Sequence, residues 1–343
     1  MVTEQALQDA ILRHSIQILR LSAGEQAEVE KVLVELEREL RQLLASTDLT
    51  AAGKRQLEAL IVEAGKAIDT GYLRAAAATD THTLAIIVAE KTQEMIQDVL
   101  PAVVRLPTPA TLLQLGKDVL IDGAPSSAWW AKQGEDLTFR FAAQVRQGVV
   151  NGETQERIVA RITGRWGEPG IMDVSRRNAR ALVHSSVMTA ANRARLETFK
   201  KNSRLIKGVR WLATLDGHTC ARCAALDGQA WNLDGEKLPG TKVLFQAPPI
   251  HWGDRCILSP IPKTFADIGL NIPEPADEGQ RASSLGPVSG KTTFNDYFGR
   301  LSPAQQDQQF GPTRAQMFRD GKITVRDLVS GTGRELTLDQ LRV

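Results

Sequence analysis

The sequence predicts a mainly α-helical, elongated, multi-domain protein with one small zinc-stapled α+β module near residues 209–262. Three observations lead there. No proline precedes Pro101, apolar residues recur at three- and four-residue steps through the first hundred positions, and all three cysteines fall between Cys220 and Cys256. The 343 residues exceed an ordinary domain of about 150 residues. With 42% hydrophobic and 24% charged residues, the composition excludes wholesale disorder and disulfide-rich secreted scaffolds.

Residues 1–104 read as a long-helix domain. Between Glu25 and Leu44, Val29, Val32, Leu33, Leu36, Leu40 and Leu43 form one apolar stripe with Glu and Arg opposite, the pattern of a helix that packs on helices. A second long helical region is expected from about Ala51 to Val104, where Gly53, Gly65 and Gly71 are the potential breakers. The longest strongly apolar run, Leu84 to Ala89, falls far short of the roughly 20 residues of a membrane helix. Met1 to Gln8 is too polar for a signal peptide. Synthesis in a reducing cytoplasm and no membrane partner are the expectations.

Residues 105–208 read as a second helical region with breakers at 123–125, 148–152 and 164–170. Its longest helix is expected from about Val174 to Lys201, started by Asp173 or Ser175, with Ala179, Val183, Val187, Ala190 and Ala194 buried. Thirteen basic residues lie between Arg157 and Arg210, against Glu168, Asp173 and Glu197. Arg176, Arg177, Arg180, Arg193, Arg195, Lys200 and Lys201 are the candidates to neutralise DNA phosphates without reading bases. A solvated face, or one matched to an acidic partner protein, is the alternative. The whole-chain charge of +2 does not choose between them.

Residues 209–264 form the Cys/His module. Val209, Trp211, Leu212 and Ala213 suggest a strand, and Asp216-Gly217 and Asp227-Gly228 suggest turns. Cys220 and Cys223 form a Cys-x-x-Cys knuckle; His251 and Cys256 supply a second pair. Four soft or borderline donors in two closely spaced pairs suit tetrahedral zinc, and a filled shell makes the ion structural. Asp254 is an alternative ligand, or a group that accepts a hydrogen bond behind one; His218 is a weaker candidate. Trp211, Trp231 and Trp252 are expected to form an apolar lid.

Residues 265–290, rich in Pro, Gly, Ser, Asp and Glu, read as an extended linker, and 291–343 as a helical tail. Capping boxes begin at Ser302, Thr324 and Thr337, with Pro312 opening a helix that Gly321 closes. Catalytic signatures fail residue by residue. No His-x-Glu accompanies the cysteines as a deaminase requires, and no His-Glu-x-x-His is present. The stretch Gly286 to Thr292 lacks the spacing and preceding strand of a phosphate-binding loop. His14, His82 and His184 stand alone on helices and read as packing or surface residues.

The run Trp211-Leu212-Ala213-Thr214-Leu215-Asp216-Gly217-His218-Thr219-Cys220-Ala221-Arg222-Cys223-Ala224-Ala225-Leu226-Asp227-Gly228, followed by Pro248-Pro249-Ile250-His251 and Asp254-Arg255-Cys256, resembles the core motif of the Mu F-like minor head proteins of tailed bacteriophages. The basic helix before it and Phe310-Gly311-Pro312-Thr313-Arg314 are similar to longer members. The family commonly has a further cysteine where this chain has Asp254.

The resemblance implies a non-enzymatic minor capsid component inside the phage head, near the portal vertex, that supports head assembly, DNA packaging or genome ejection. Its implied partners are the portal protein, with major capsid or scaffolding protein and packaged double-stranded DNA as further contacts. The competing expectation is a phage-encoded zinc-dependent enzyme acting on nucleic acid, with one metal position left open to water.

Overall fold

The computed structural model describes residues 4–47, 53–100, 102–117, 119–165, 167–264, 266–269, 271, 273 and 279–341. It is mainly helical with small antiparallel sheets. The first half comprises α1 (Glu4–Ala45), α2 (Lys54–Ala77), α3 (Thr81–Val99), α4 (Pro109–Lys117), the short pair β1 (Leu120–Ile121) and β2 (Ala124–Pro125), α5 (Ser126–Val150), α6 (Gln155–Thr163) and α7 (Ile171–Lys201). Next come β3 (Ile206–Leu212), α8 (Ala221–Leu226), β4 (Ala230–Asn232) and β5 (Ile257–Pro262). The remainder holds β6 (Gln280–Arg281), β7 (Val288–Ser289), α9 (Phe294–Arg300), α10 (Pro303–Phe310), α11 (Pro312–Arg319) and α12 (Leu338–Leu341).

Two compact units are interleaved along the chain. One gathers Met1–Ile18, Leu84–Leu115 and Ala190–Val343; the other gathers Leu19–Thr83 and Gly116–Thr189. Among the described residues, no helix is long and apolar enough to cross a membrane.

The unit formed by 19–83 and 116–189 is helical apart from β1 and β2. Val29, Leu33, Leu36 and Leu40 of α1 are buried as the stripe predicts, while Leu44, not Leu43, completes it. Helices α2 and α5 pack closely because small residues face large ones: a Cβ on Gly134 would lie 3.5 Å from the Tyr72 ring. The helical region expected over 51–104 is two helices, because Asp80 ends one run and starts the next. Its Oδ1 accepts from the amides of His82 (3.1 Å) and Thr83 (3.0 Å), the bonds of a helix start. Helix α7 begins slightly earlier than its caps suggest, since Asp173 lies inside the first turn and accepts from the Gly170 amide at 2.9 Å.

The unit containing residues 190–343 is built on a three-stranded antiparallel sheet in the order β4-β3-β5. Trp211 pairs with Leu258, and Val209 with both Trp231 and Pro260. Trp211 and Trp231 are fully buried. Gly208 allows β4 its close approach, since a Cβ there would sit 2.3 Å from the Trp231 carbonyl oxygen.

Within the stretch read as a linker, β6 and β7 pair antiparallel, Gln280 with Ser289 and Arg281 with Val288; residues 265, 270, 272 and 274–278 lie outside the described residues. Capping boxes form at Ser302 and Thr324. The Thr324 box starts only a 3-10 turn. Phe298 holds the tail together, stacked on Phe310 with ring centroids 4.6 Å apart and edge-on to Phe318 at 4.9 Å.

Candidate metal centre

Strand β3 delivers the chain to a loop whose end is Cys220. Cys220 caps α8, its Sγ accepting from the Cys223 amide at 3.4 Å, so the single helical turn aims both thiols to one side. The loop before β5 brings in the second pair. His251 Nε2 lies 3.1 Å from Cys223 Sγ and 3.3 Å from Cys220 Sγ. Bond lengths of about 2.3 Å to sulfur and 2.0 Å to nitrogen put a sulfur–nitrogen edge of a zinc tetrahedron near ~3.5 Å. Cys220, Cys223 and His251 are therefore already close to ligand spacing, whereas Cys256 falls in a different donor group, with Cys223 and Asp254.

The imidazole is oriented by its other nitrogen. His251 Nδ1 lies 2.9 Å from the Trp252 carbonyl, and because a carbonyl only accepts, Nδ1 carries the proton. That leaves the Nε2 lone pair directed at the sulfurs, the tautomer a metal requires.

Cys220, Cys223 and His251 form one group of donor atoms mutually within 4.8 Å, and Cys223, Asp254 and Cys256 form a second. Cys223 belongs to both. Cys223, Asp254 and Cys256 are buried, whereas Cys220 and His251 are half-buried.

Asp254 also shapes its loop. One carboxylate oxygen accepts from the Cys256 amide at 2.8 Å and from the Cys223 thiol at 3.6 Å, and the other accepts from the Ile250 amide at 2.9 Å. The carboxylate thus closes the turn that carries His251 and Cys256, while remaining within reach of the ion. His218 is exposed, outside both donor groups, with its amide bonded to Asp216 Oδ1 at 3.0 Å. Of the tryptophans expected to form a lid, Trp211 and Trp231 are fully buried on strands of the sheet and Trp252 is half-buried.

A hydrogen bond from Cys223 pulls the Cys220 thiol down to about 4, aided by His251 and opposed by burial. The Cys220 hydrogen bond raises His251 to about 9. Cys223 is pushed up, first by its bonds to Cys220 and Cys256 and then by burial, and burial pushes Cys256 up to about 12. A divalent cation among these sulfurs would offset the charge of thiolates that burial otherwise disfavours. The sulfur and imidazole donors suit zinc, and such an ion would supply structural cross-linking between α8 and the loop before β5.

Long-range contacts that motif spacing does not reveal brace the site. Arg255 holds Asp216 at 2.7 and 3.0 Å. Arg222 donates to the Ile250 carbonyl at 3.2 Å and to Gln246 Oε1 at 2.7 Å. From α10, Gln309 donates to the carbonyls of Asp216 and Thr219 at 2.9 and 3.0 Å.

The candidate DNA-facing residues divide sharply. Arg176 pairs with both Glu37 and Asp173, and Arg180 with Glu30. Arg177, Arg180, Lys200 and Lys201 are exposed, with Arg180 paired to Glu30 and Lys200 lying 3.0 Å from Glu197. Arg193 is half-buried. Arg195 is a correction to the surface reading: it is 1% exposed, since its place on α7 turns it inward with Ala191 and Thr198 one turn either side, and it presents no charge to solvent.

Residues 140–259 match the model of the family described as Phage Mu protein F like protein. The matched stretch runs from within α5 into β5 and contains the whole Cys/His cluster. No curated protein and no solved structure gives a significant match.

Proposed function

We propose that the chain, whose residues 140–259 match the Phage Mu F-like family, is a head morphogenesis protein of a tailed phage, carried in the virion as a minor structural component. The observation that carries this reading is that the family match encloses a buried, pre-shaped donor cluster which joins a helix to a distant loop. A metal at that position would cross-link α8 to the loop before β5. In this reading the ion is structural zinc bound by Cys220, Cys223, His251 and Cys256, with Asp254 supporting the ligand loop. The protein then acts through its surfaces, on the portal protein near the portal vertex and with capsid or scaffolding protein nearby, during assembly, packaging or ejection.

Contact with packaged DNA is part of the proposal, through exposed Arg177, Lys200 and Lys201. Arg176 and Arg180 are largely committed to carboxylates of α1. The test is its location. Mass spectrometry of purified particles and cryo-EM of heads with and without the chain should place it in the head at the portal vertex. Intact particles that lack the protein and assemble normally without it would sink the proposal.

A further inference from the structure

Arg195 is a buried charge with no partner among the described residues. On α7 it lies among Ala191, Ala194, Thr198 and Phe199, all fully buried, and is itself 1% exposed. Its Nε, Nη1 and Nη2 have no hydrogen-bond partner among the described residues. A guanidinium stays charged in proteins and offers five N–H donors in a fixed plane. Buried charges are paired or bound to a counter-ion, and an unsatisfied buried group points to a missing water or ion. Burial lowers its proton affinity, and among the described residues it has no ion-pair partner.

A second orphan lies beside it. His14 of α1 is 7% exposed and its Nδ1 also lacks a partner among the described residues. The Arg195 charge reaches this imidazole, which burial holds neutral at ordinary pH, with a further contribution from Lys91.

We infer that the buried, unpartnered Arg195 guanidinium binds a small monovalent anion of the halide class, with chloride as the natural occupant. The class follows from three requirements. Donors alone need an acceptor, the uncompensated positive charge needs a negative one, and a group shut away from solvent favours a small occupant. A water molecule meets the first and third requirements but leaves the charge standing. Phosphate and larger oxyanions fail the third.

The test uses the full chain. Thermal unfolding is followed at constant ionic strength while sodium chloride replaces sodium gluconate, and crystals grown in bromide are measured at the bromine absorption edge. Because a ligand bound only to the native state raises stability with the logarithm of its concentration, the midpoint should climb about 2 °C per tenfold rise in chloride above the dissociation constant. Arg195→Met should remain helical and lose that response, and an anomalous bromide peak should lie beside Arg195. A wild-type midpoint indifferent to chloride, a bromide map without that peak, or an Arg195→Met variant that still responds overturns the inference. Should Arg195→Met fail to fold, the wild-type bromide map decides the question.

Discussion

Asp227 and Arg281 meet in a two-point ion pair that is almost completely buried, at 2% and 3% exposure, with oxygen–nitrogen distances of 2.6 and 3.1 Å. Each side chain binds backbone as well. Asp227 accepts from the amides of Ala213 (2.9 Å) and Phe294 (2.7 Å), and Arg281 donates to the carbonyls of Thr292 (2.9 Å) and Ala213. One pair thereby joins the end of β3, the turn after α8, the β6–β7 hairpin and the start of α9.

Removing one partner should cost far more than removing both. Asp227→Ala strands the Arg281 charge, and a loss of about 3–5 kcal/mol is expected in urea unfolding. Asp227→Leu combined with Arg281→Met should recover most of it. Equal losses from the single and double variants would show that the charges are not coupled.

Metal content should separate ligands from supporting groups. The purified chain is expected to hold one zinc by elemental analysis, and Cys223→Ser should release it and lower the unfolding midpoint, since Cys223 belongs to both donor groups. Asp254→Ala should keep the metal with affinity reduced roughly 10–100-fold, the usual effect of losing a ligand-orienting partner. His218→Ala should change neither quantity. Full zinc occupancy in Cys223→Ser would refute this assignment.

Stability should fall on mild acidification because of His14. Burial, then Arg195 and then Lys91, lower its folded value to about 3 from the ordinary 6.5. Between these values the unfolded chain binds a proton that the folded chain does not. The contribution is therefore fully present above 6.5 and is lost progressively as pH drops toward 3. Unfolding measured across that window in chloride-free buffer should show a shallower decline in His14→Gln; an unchanged slope would place the effect elsewhere.

DNA contact should follow exposure and not the count of basic residues. Neutralising Arg177, Lys200 and Lys201 together should weaken salt-sensitive binding to duplexes of any sequence and flatten its salt dependence. Arg195→Met should leave binding unchanged. If the triple variant binds as well as the wild type, the surface belongs to a protein partner.

Gly208→Ala tests the sheet. The new methyl would collide with the Trp231 carbonyl, 2.3 Å from its position, so a loss of about 1–3 kcal/mol is expected from overpacking. Chemical unfolding that shows no loss would mean that β4 can move aside freely.

Local order made much of the molecule legible. The apolar stripe of α1, the capping residues Ser302 and Thr324, and the Cys-x-x-Cys and His251–Cys256 pairs all act over a few positions, within the reach of helix periodicity and turn chemistry. The inward turn of Arg195 was harder to read, because a basic residue one turn from buried alanines has the same composition whether it faces water or core.

The amino-acid sequence by itself determined where helices form, which donors lie on short knuckles, and which family motif the chain carries. Only the tertiary structure decided that Asp254 closes the ligand turn, that Arg281 is the counter-charge of Asp227 across 54 positions, and that residues 1–18 and 84–115 join the unit completed by residues 190–343. The physical reason is that short-range pattern depends on backbone geometry repeating every few residues. Buried charges instead choose partners by desolvation and chain closure over separations that leave no periodic trace.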